Sequence, residues 1–104
     1  MRRNEPARFA LANNYPNPFN RTTIIGFDLP LSSIVTIKVY NMLGQEVATA
    51  LSEELMDEGS HELEFNASSL PSGVYFYRVT GKTLGDEEIA PTIFSGVRKM
   101  LLIK

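Results

Sequence analysis

Residues 71–80 read Pro71-Ser72-Gly73-Val74-Tyr75-Phe76-Tyr77-Arg78-Val79-Thr80. From Val74 onward, apolar and aromatic side chains occupy both alternating sets, which predicts a central strand instead of a half-solvated one. Tyr75 follows its Pro-Ser-Gly turn at the spacing of the tyrosine corner that opens strand F of an immunoglobulin-like sandwich. Tyr77, two positions later, then occupies the place of that fold's second cysteine. The chain contains no cysteine, so a tyrosine stands where a disulfide would, and packing alone must hold the core.

The flanking sequence supplies the other strands. Upstream, Ile34-Val35-Thr36-Ile37-Lys38-Val39-Tyr40 alternates Val35, Ile37 and Val39 against Thr36, Lys38 and Tyr40, and is β-branched throughout. Asn41-Met42-Leu43-Gly44 is a turn in which Gly44 or Asn41 can take positive φ, and Gln45 to Thr49 returns as a hairpin partner. Earlier still, Thr23, Ile25, Phe27 and Leu29 share one face, and Pro30 closes that strand. The stretch Ala50 to Glu58 is the one place where a helix is arguable: Leu51, Leu55 and Met56 sit at i, i+4 and i+5, and Ser52 can cap. The reading allows it one short turn.

Gly59 ends that turn, and His61, Leu63 and Phe65 then alternate with Ser60, Glu62 and Glu64 as a half-solvated strand. Asn66 to Gly73 is a long turn, Gly81 to Pro91 an exposed acidic connection, and Phe94 to Lys104 a closing strand running to the last residue. Before all of these, Asn13-Asn14-Tyr15-Pro16-Asn17-Pro18-Phe19-Asn20 has loop chemistry, with Phe9, Tyr15 and Phe19 as anchors. The sum is an all-β fold, an Ig-like antiparallel β-sandwich of about seven strands. Residues 1–10 read as an N-terminal linker or added start, and 11–104 as one domain.

Composition narrows the function. The chain has 104 residues, with 10 basic and 12 acidic side chains and a net charge of −2. No overall positive field is available to hold a phosphate backbone, so nucleic acid is not expected as a partner. One histidine and no cysteine leave little for zinc or a catalytic triad, and no cofactor or catalytic residue is assigned. No apolar run approaches the ~20 residues that span a bilayer. The start Met1-Arg2-Arg3-Asn4-Glu5-Pro6 lacks the apolar core of a secretory leader, so any such signal is expected outside this sequence.

Individual candidates read mostly as structural. His61 is expected on an alternating strand with a structural role. The acidic groups Glu53, Glu54, Asp57, Glu58 and Asp86, Glu87, Glu88 lack the spacing of a calcium loop. Gly81-Lys82-Thr83 lacks the upstream glycine of a phosphate loop. The aromatic residues fall mainly inside strands, and tryptophan is absent, which favours core use over a sugar platform. Arg98-Lys99-Met100-Leu101-Leu102-Ile103-Lys104 carries two readings: an edge strand protected by lysines, or a signal displayed at a free terminus.

The ordered motifs Asn14-Tyr15-Pro16-Asn17-Pro18-Phe19-Asn20, Thr23-Ile24, Phe27-Asp28-Leu29-Pro30, Val39 to Val47, Gly59-Ser60-His61 and Leu70 to Arg78 resemble the C-terminal sorting domains of type IX (Por) secretion cargo. The final Lys99 to Lys104 is similar to their terminal signal. Phe65 departs from the tryptophan common there, and Gly26 interrupts a strand. The resemblance implies a non-catalytic module at the C-terminus of a larger secreted protein, routed through the periplasm to the medium or the cell surface. Its implied partners are the outer-membrane translocon and sorting machinery.

On that resemblance, Arg98 to Lys104 form the recognition signal. Tyr15 to Asn20, Asn41, Gly44, Gly73, Tyr75 and Tyr77 hold the sandwich. Two alternatives stay open: the Ig-like assembly domain of flagellar hook-capping proteins, which is also similar, and a carbohydrate-binding accessory module of a secreted glycanase. An exposed apolar edge also admits weak pairing of two copies. The last strand is expected to be marginally held, so that it can peel away or be extended by strand addition, and deleting Lys99 to Lys104 is expected to leave a cooperative fold.

Overall fold

A computed structural model of the chain describes residues 8–85 and 87–104. Residues 1–7, most of the linker segment, and Asp86 of the acidic connection lie outside the described residues. The seven strands are β1 (Ala10–Leu11), β2 (Thr22–Leu29), β3 (Ser33–Tyr40), β4 (Glu46–Met56), β5 (Gly59–Asn66), β6 (Gly73–Thr83) and β7 (Ile93–Leu102). They form two antiparallel sheets, a three-stranded one in the order β1-β2-β5 and a four-stranded one in the order β4-β3-β6-β7. This is the all-β sandwich read from the sequence, with β6 between two neighbours as its two-sided pattern requires.

Alternation decides which side chains enter the core. Thr23, Ile25, Phe27 and Leu29 of β2 and Val35, Ile37 and Val39 of β3 are buried, as are Tyr75, Tyr77 and Val79 of β6. Each such side chain, fully withdrawn from water, stabilises the fold by roughly 1.5–3 kcal/mol before entropy is set against it. The Tyr75 hydroxyl donates to the Pro71 carbonyl at 2.6 Å, so the tyrosine corner is formed. Tyr77 is fully buried and its hydroxyl donates to the Ala12 carbonyl at 2.8 Å.

Several expectations are corrected. The stretch Ala50 to Met56 makes no helical turn and continues β4, whose 11 residues lie opposite the 8 of β3 through three register irregularities. Glu53 within it has φ of 46°. β6 runs on to Thr83 with Gly81 and Thr83 buried, so the exposed connection begins later than Gly81. The closing strand ends at Leu102, leaving Ile103 and Lys104 beyond it. Tyr15 anchors by hydrogen bonds and not by burial: it is 52% exposed, its backbone exchanges two hydrogen bonds with Ile24 at 3.1 and 2.8 Å, and its hydroxyl donates to the Glu62 carboxylate at 2.7 Å. Phe19 is buried, and Phe9 stacks on Phe94 with ring centroids 4.7 Å apart.

The β3–β4 turn depends on two residues. Asn41 Oδ1 accepts from the backbone N–H groups of Leu43 and Gln45 at 2.9 and 3.0 Å, and Gly44 takes φ of 83°. Glycine is the residue that adopts such a φ without strain. Met42 and Leu43 are thereby thrust into solvent at the tip, 71% and 82% exposed.

Candidate functional site

The two stretches singled out by sequence, Tyr15 to Asn20 and Arg98 to Lys104, meet in space. Both X-Pro bonds of the first, Tyr15–Pro16 and Asn17–Pro18, are cis. The segment runs along the outer edge of β7. The Phe19 N–H donates to the Leu101 carbonyl at 3.0 Å, and the Ile103 N–H donates to the Phe19 carbonyl at 2.8 Å. Asn17 Oδ1 accepts from the Leu101 N–H at 3.0 Å. Three backbone groups that an edge strand would leave open are therefore satisfied.

The far end is tied as well. The Lys104 N–H donates to Ser72 Oγ at 2.9 Å and its ammonium to the Ser68 carbonyl at 2.6 Å. On its other side β7 pairs with β6 without a break from Ile93 to Leu102. The edge that a peelable strand would leave free is therefore covered, and strand addition along Leu101 to Ile103 would first require Asn17 and Phe19 to leave. Deleting Lys99 to Lys104 would also remove Met100 and Leu102, both fully buried, so that deletion is expected to weaken the core as well as remove the signal.

Register sorts the signal residues by face. Arg98, Met100 and Leu102 lie opposite Tyr77, Tyr75 and Gly73 and so turn to the core side, while Lys99 and Leu101 turn outward. Arg98 reaches across the sandwich end, donating from Nε and Nη2 to the Leu11 carbonyl at 3.1 and 2.9 Å. With Tyr77 on Ala12, it fastens the chain next to β1. Arg98 and Lys104 are therefore engaged within the domain through backbone carbonyls, and Lys99, Ile103 and the half-buried Leu101 are the signal residues whose side chains turn outward.

Asn14, a residue the sequence reading gave no role of its own, is buried immediately before the Tyr15 to Asn20 segment and ties it to β2. Its Nδ2 donates to Thr23 Oγ1 at 2.9 Å and to the Pro16 carbonyl at 3.3 Å, and Thr23 Oγ1 donates to that carbonyl at 2.9 Å. The signal that could have found it is the pairing of a polar Thr23 with an otherwise apolar inward set. Pro18 and Asn20 are exposed, and Asn20, Arg21, Ser68 and Lys104 line an open depression of about 280 Å³ beside the last residue. Gly73 faces Tyr75, where an added Cβ would sit an ordinary 3.7 Å from the ring.

Burial pushes the Tyr77 hydroxyl above its ordinary value, opposed in part by the Asn14 backbone and the charge of Arg98. The Tyr15 phenol is raised by its hydrogen bond to Glu62. His61 Nε2 lies 2.7 Å from the Asp57 carbonyl, and the ring stacks on Phe27. Among the described residues no group of three or more His, Asp or Glu side chains is placed to hold a metal ion. Among the described residues no helix is long and apolar enough to cross a membrane.

A family model described as a secretion system C-terminal sorting domain matches residues 13–87. No curated protein and no solved structure matches the chain.

Proposed function

This chain belongs to the family of secretion system C-terminal sorting domains, and from that premise we propose that the outward side chains of β7 and its extension are the address by which type IX secretion exports a cargo. A domain of this family is part of a larger cargo protein handled by the secretion machinery, and it directs that cargo to the medium or the cell surface. The proposed signal comprises Lys99, Leu101 and Ile103. Arg98, Met100, Leu102 and Lys104 position it, and an outer-membrane translocon component reads it after transit through the periplasm. Surface attachment of the cargo is a downstream step in the same proposal.

One observation supports this division of labour: the Asn17 and Phe19 bonds to Leu101 and Ile103 seal the backbone edge. A reader of this strand then meets a fixed row of side chains instead of free N–H and C=O groups. The domain acts as a folded label, without chemistry of its own.

The test fuses residues 11–104 behind a signal peptide and a fluorescent reporter, in a bacterium with an intact type IX system and in a translocon mutant. Reporter in the medium or on the surface only with the intact system is the expected result. Periplasmic retention in both strains overturns the sorting role. The variant Lys99→Gln combined with Leu101→Ser should retain reporter while melting like the parent, whereas undiminished export of that variant overturns the assignment of the address to β7.

A further inference from the structure

The two outer sheet faces differ in charge: one is acidic, the other mixed with an excess of cations. On the three-stranded sheet, the strands present Asp28, Glu62 and Glu64 outward and no cation. On the four-stranded sheet, Lys38, Arg78, Lys82 and Lys99 turn outward and outnumber the carboxylates of Glu46 and Glu53 that share this face; among the described residues Lys38 pairs with Glu46 at 3.3 Å. The net charge of −2 conceals this separation, which orients a charged partner before contact.

At one end of the basic face lies an open groove of about 420 Å³ between the Asn41–Gly44 turn and β6–β7. Its walls are Tyr40, Met42, Phe76, Arg78 and Val97, and Lys99 is the register partner of Phe76. Met42 and Val97 are 71% and 49% exposed, an apolar lining that water contacts directly. The Arg78 guanidinium stands over the Tyr40 ring at 6.0 Å from its centroid. At that distance the guanidinium remains exposed and able to receive a carboxylate through two hydrogen bonds. Methionine adapts its shape to a variety of apolar side chains.

We propose that this groove docks an acidic, extended segment of a partner protein, with an apolar side chain against Met42, Phe76 and Val97 and carboxylates on Arg78 and Lys99. The charge of the face selects an anion, and the apolar lining between the cations selects a polypeptide over a free anion. This surface shares Lys99 with the proposed export address, but the docking is a property of the isolated domain and is measured without any secretion system, so its failure is distinguishable from failure of the export reading.

The test titrates the full chain with a short acetylated peptide alternating aspartate and leucine, following backbone amide shifts, with a lysine-for-aspartate peptide as control. Shifts clustered at Tyr40 to Gly44, Val74 to Arg78 and Val97 to Lys99 are expected, with affinity weakening as salt is added. Met42→Ser and Arg78→Gln should each reduce affinity about tenfold or more. Met42 is exposed, so its variant keeps the parent's melting temperature and separates lost docking from lost fold. Absence of shifts, equal binding of the lysine peptide, or shifts on the Asp28 and Glu62 face each overturn the proposal. So does a chain that sediments alone as a dimer dissolved by Arg78→Gln, which would make a second copy the occupant.

Discussion

Tyr77 and Arg98 sit side by side in the β6–β7 register and grip consecutive carbonyls, Ala12 and Leu11. Removing the Tyr77 hydroxyl as Tyr77→Phe leaves the Ala12 carbonyl unpartnered and should destabilise the domain by about 1–2 kcal/mol, read from denaturant unfolding. The same hydroxyl predicts a pH response. Its folded value lies above the unfolded 10.0, so above pH 10 the unfolded chain releases its proton first and stability falls as pH rises through the folded value. Below pH 10 this contribution is fully present. Melting temperature recorded from pH 8 to pH 12 should show that decline, and a decline of equal steepness in Tyr77→Phe would overturn the attribution. At this scale the sequence was half legible. The corner bond of Tyr75 follows from a local spacing, whereas the partners of Tyr77 and Arg98 lie 65 and 87 positions away along the chain, beyond the reach of periodicity. Burial of Asn14 was hidden for a related reason: a buried asparagine and a turn asparagine are the same letter.

Strand β4 shows how an element can be misread by its own spacing. Each irregularity against β3 inserts a residue that breaks the period of two, so Leu51, Leu55 and Met56 fall at intervals that imitate a helix. Strands β2, β3 and β5 keep their alternation and match their sequence reading, while β6 matches as far as Thr80 and then continues to Thr83. Strand β7 was read correctly as a strand but not as a sealed one, because its cover comes from Asn17 and Phe19, whose loop chemistry gives no sign of where they dock. Two predictions belong here. Leu102→Ala empties a fully buried position and should cost about 2–5 kcal/mol, while the outward Leu101→Ser should cost far less. Asn17→Ala deprives the Leu101 N–H of its acceptor, at a cost of about 1 kcal/mol. In hydrogen exchange the Leu101 amide should then lose protection while the β3–β6 pairing keeps its own. Unchanged exchange at Leu101 would mean that the Asn17 clamp does not hold the strand.

For the whole molecule, the distinction that matters is between a linear tag and a folded label. A linear tag would be read equally well from an unfolded chain, and only the letters from Arg98 to Lys104 would count. In a folded label, Met100 and Leu102 are anchored in the core, Arg98 bonds to Leu11, and Asn17 and Phe19 line the edge, so residues far from the signal govern its presentation. The two models diverge on variants that leave residues 98–104 intact. Phe19→Ala removes a side chain that is 3% exposed and should cost about 3–5 kcal/mol, a large share of the stability of a domain this size. Its export should therefore fall in step with its folded fraction as growth temperature rises, and Asn17→Ala should follow the same relation with a smaller loss. Lys99→Gln with Leu101→Ser should fall off that relation, losing export at full folded fraction. Reporter export plotted against melting temperature for these variants decides the matter: a single curve with the outward pair below it marks a folded label. Full export by an unfolded Phe19→Ala chain marks a linear tag, in which case the Asn17 and Phe19 clamp serves stability and not recognition.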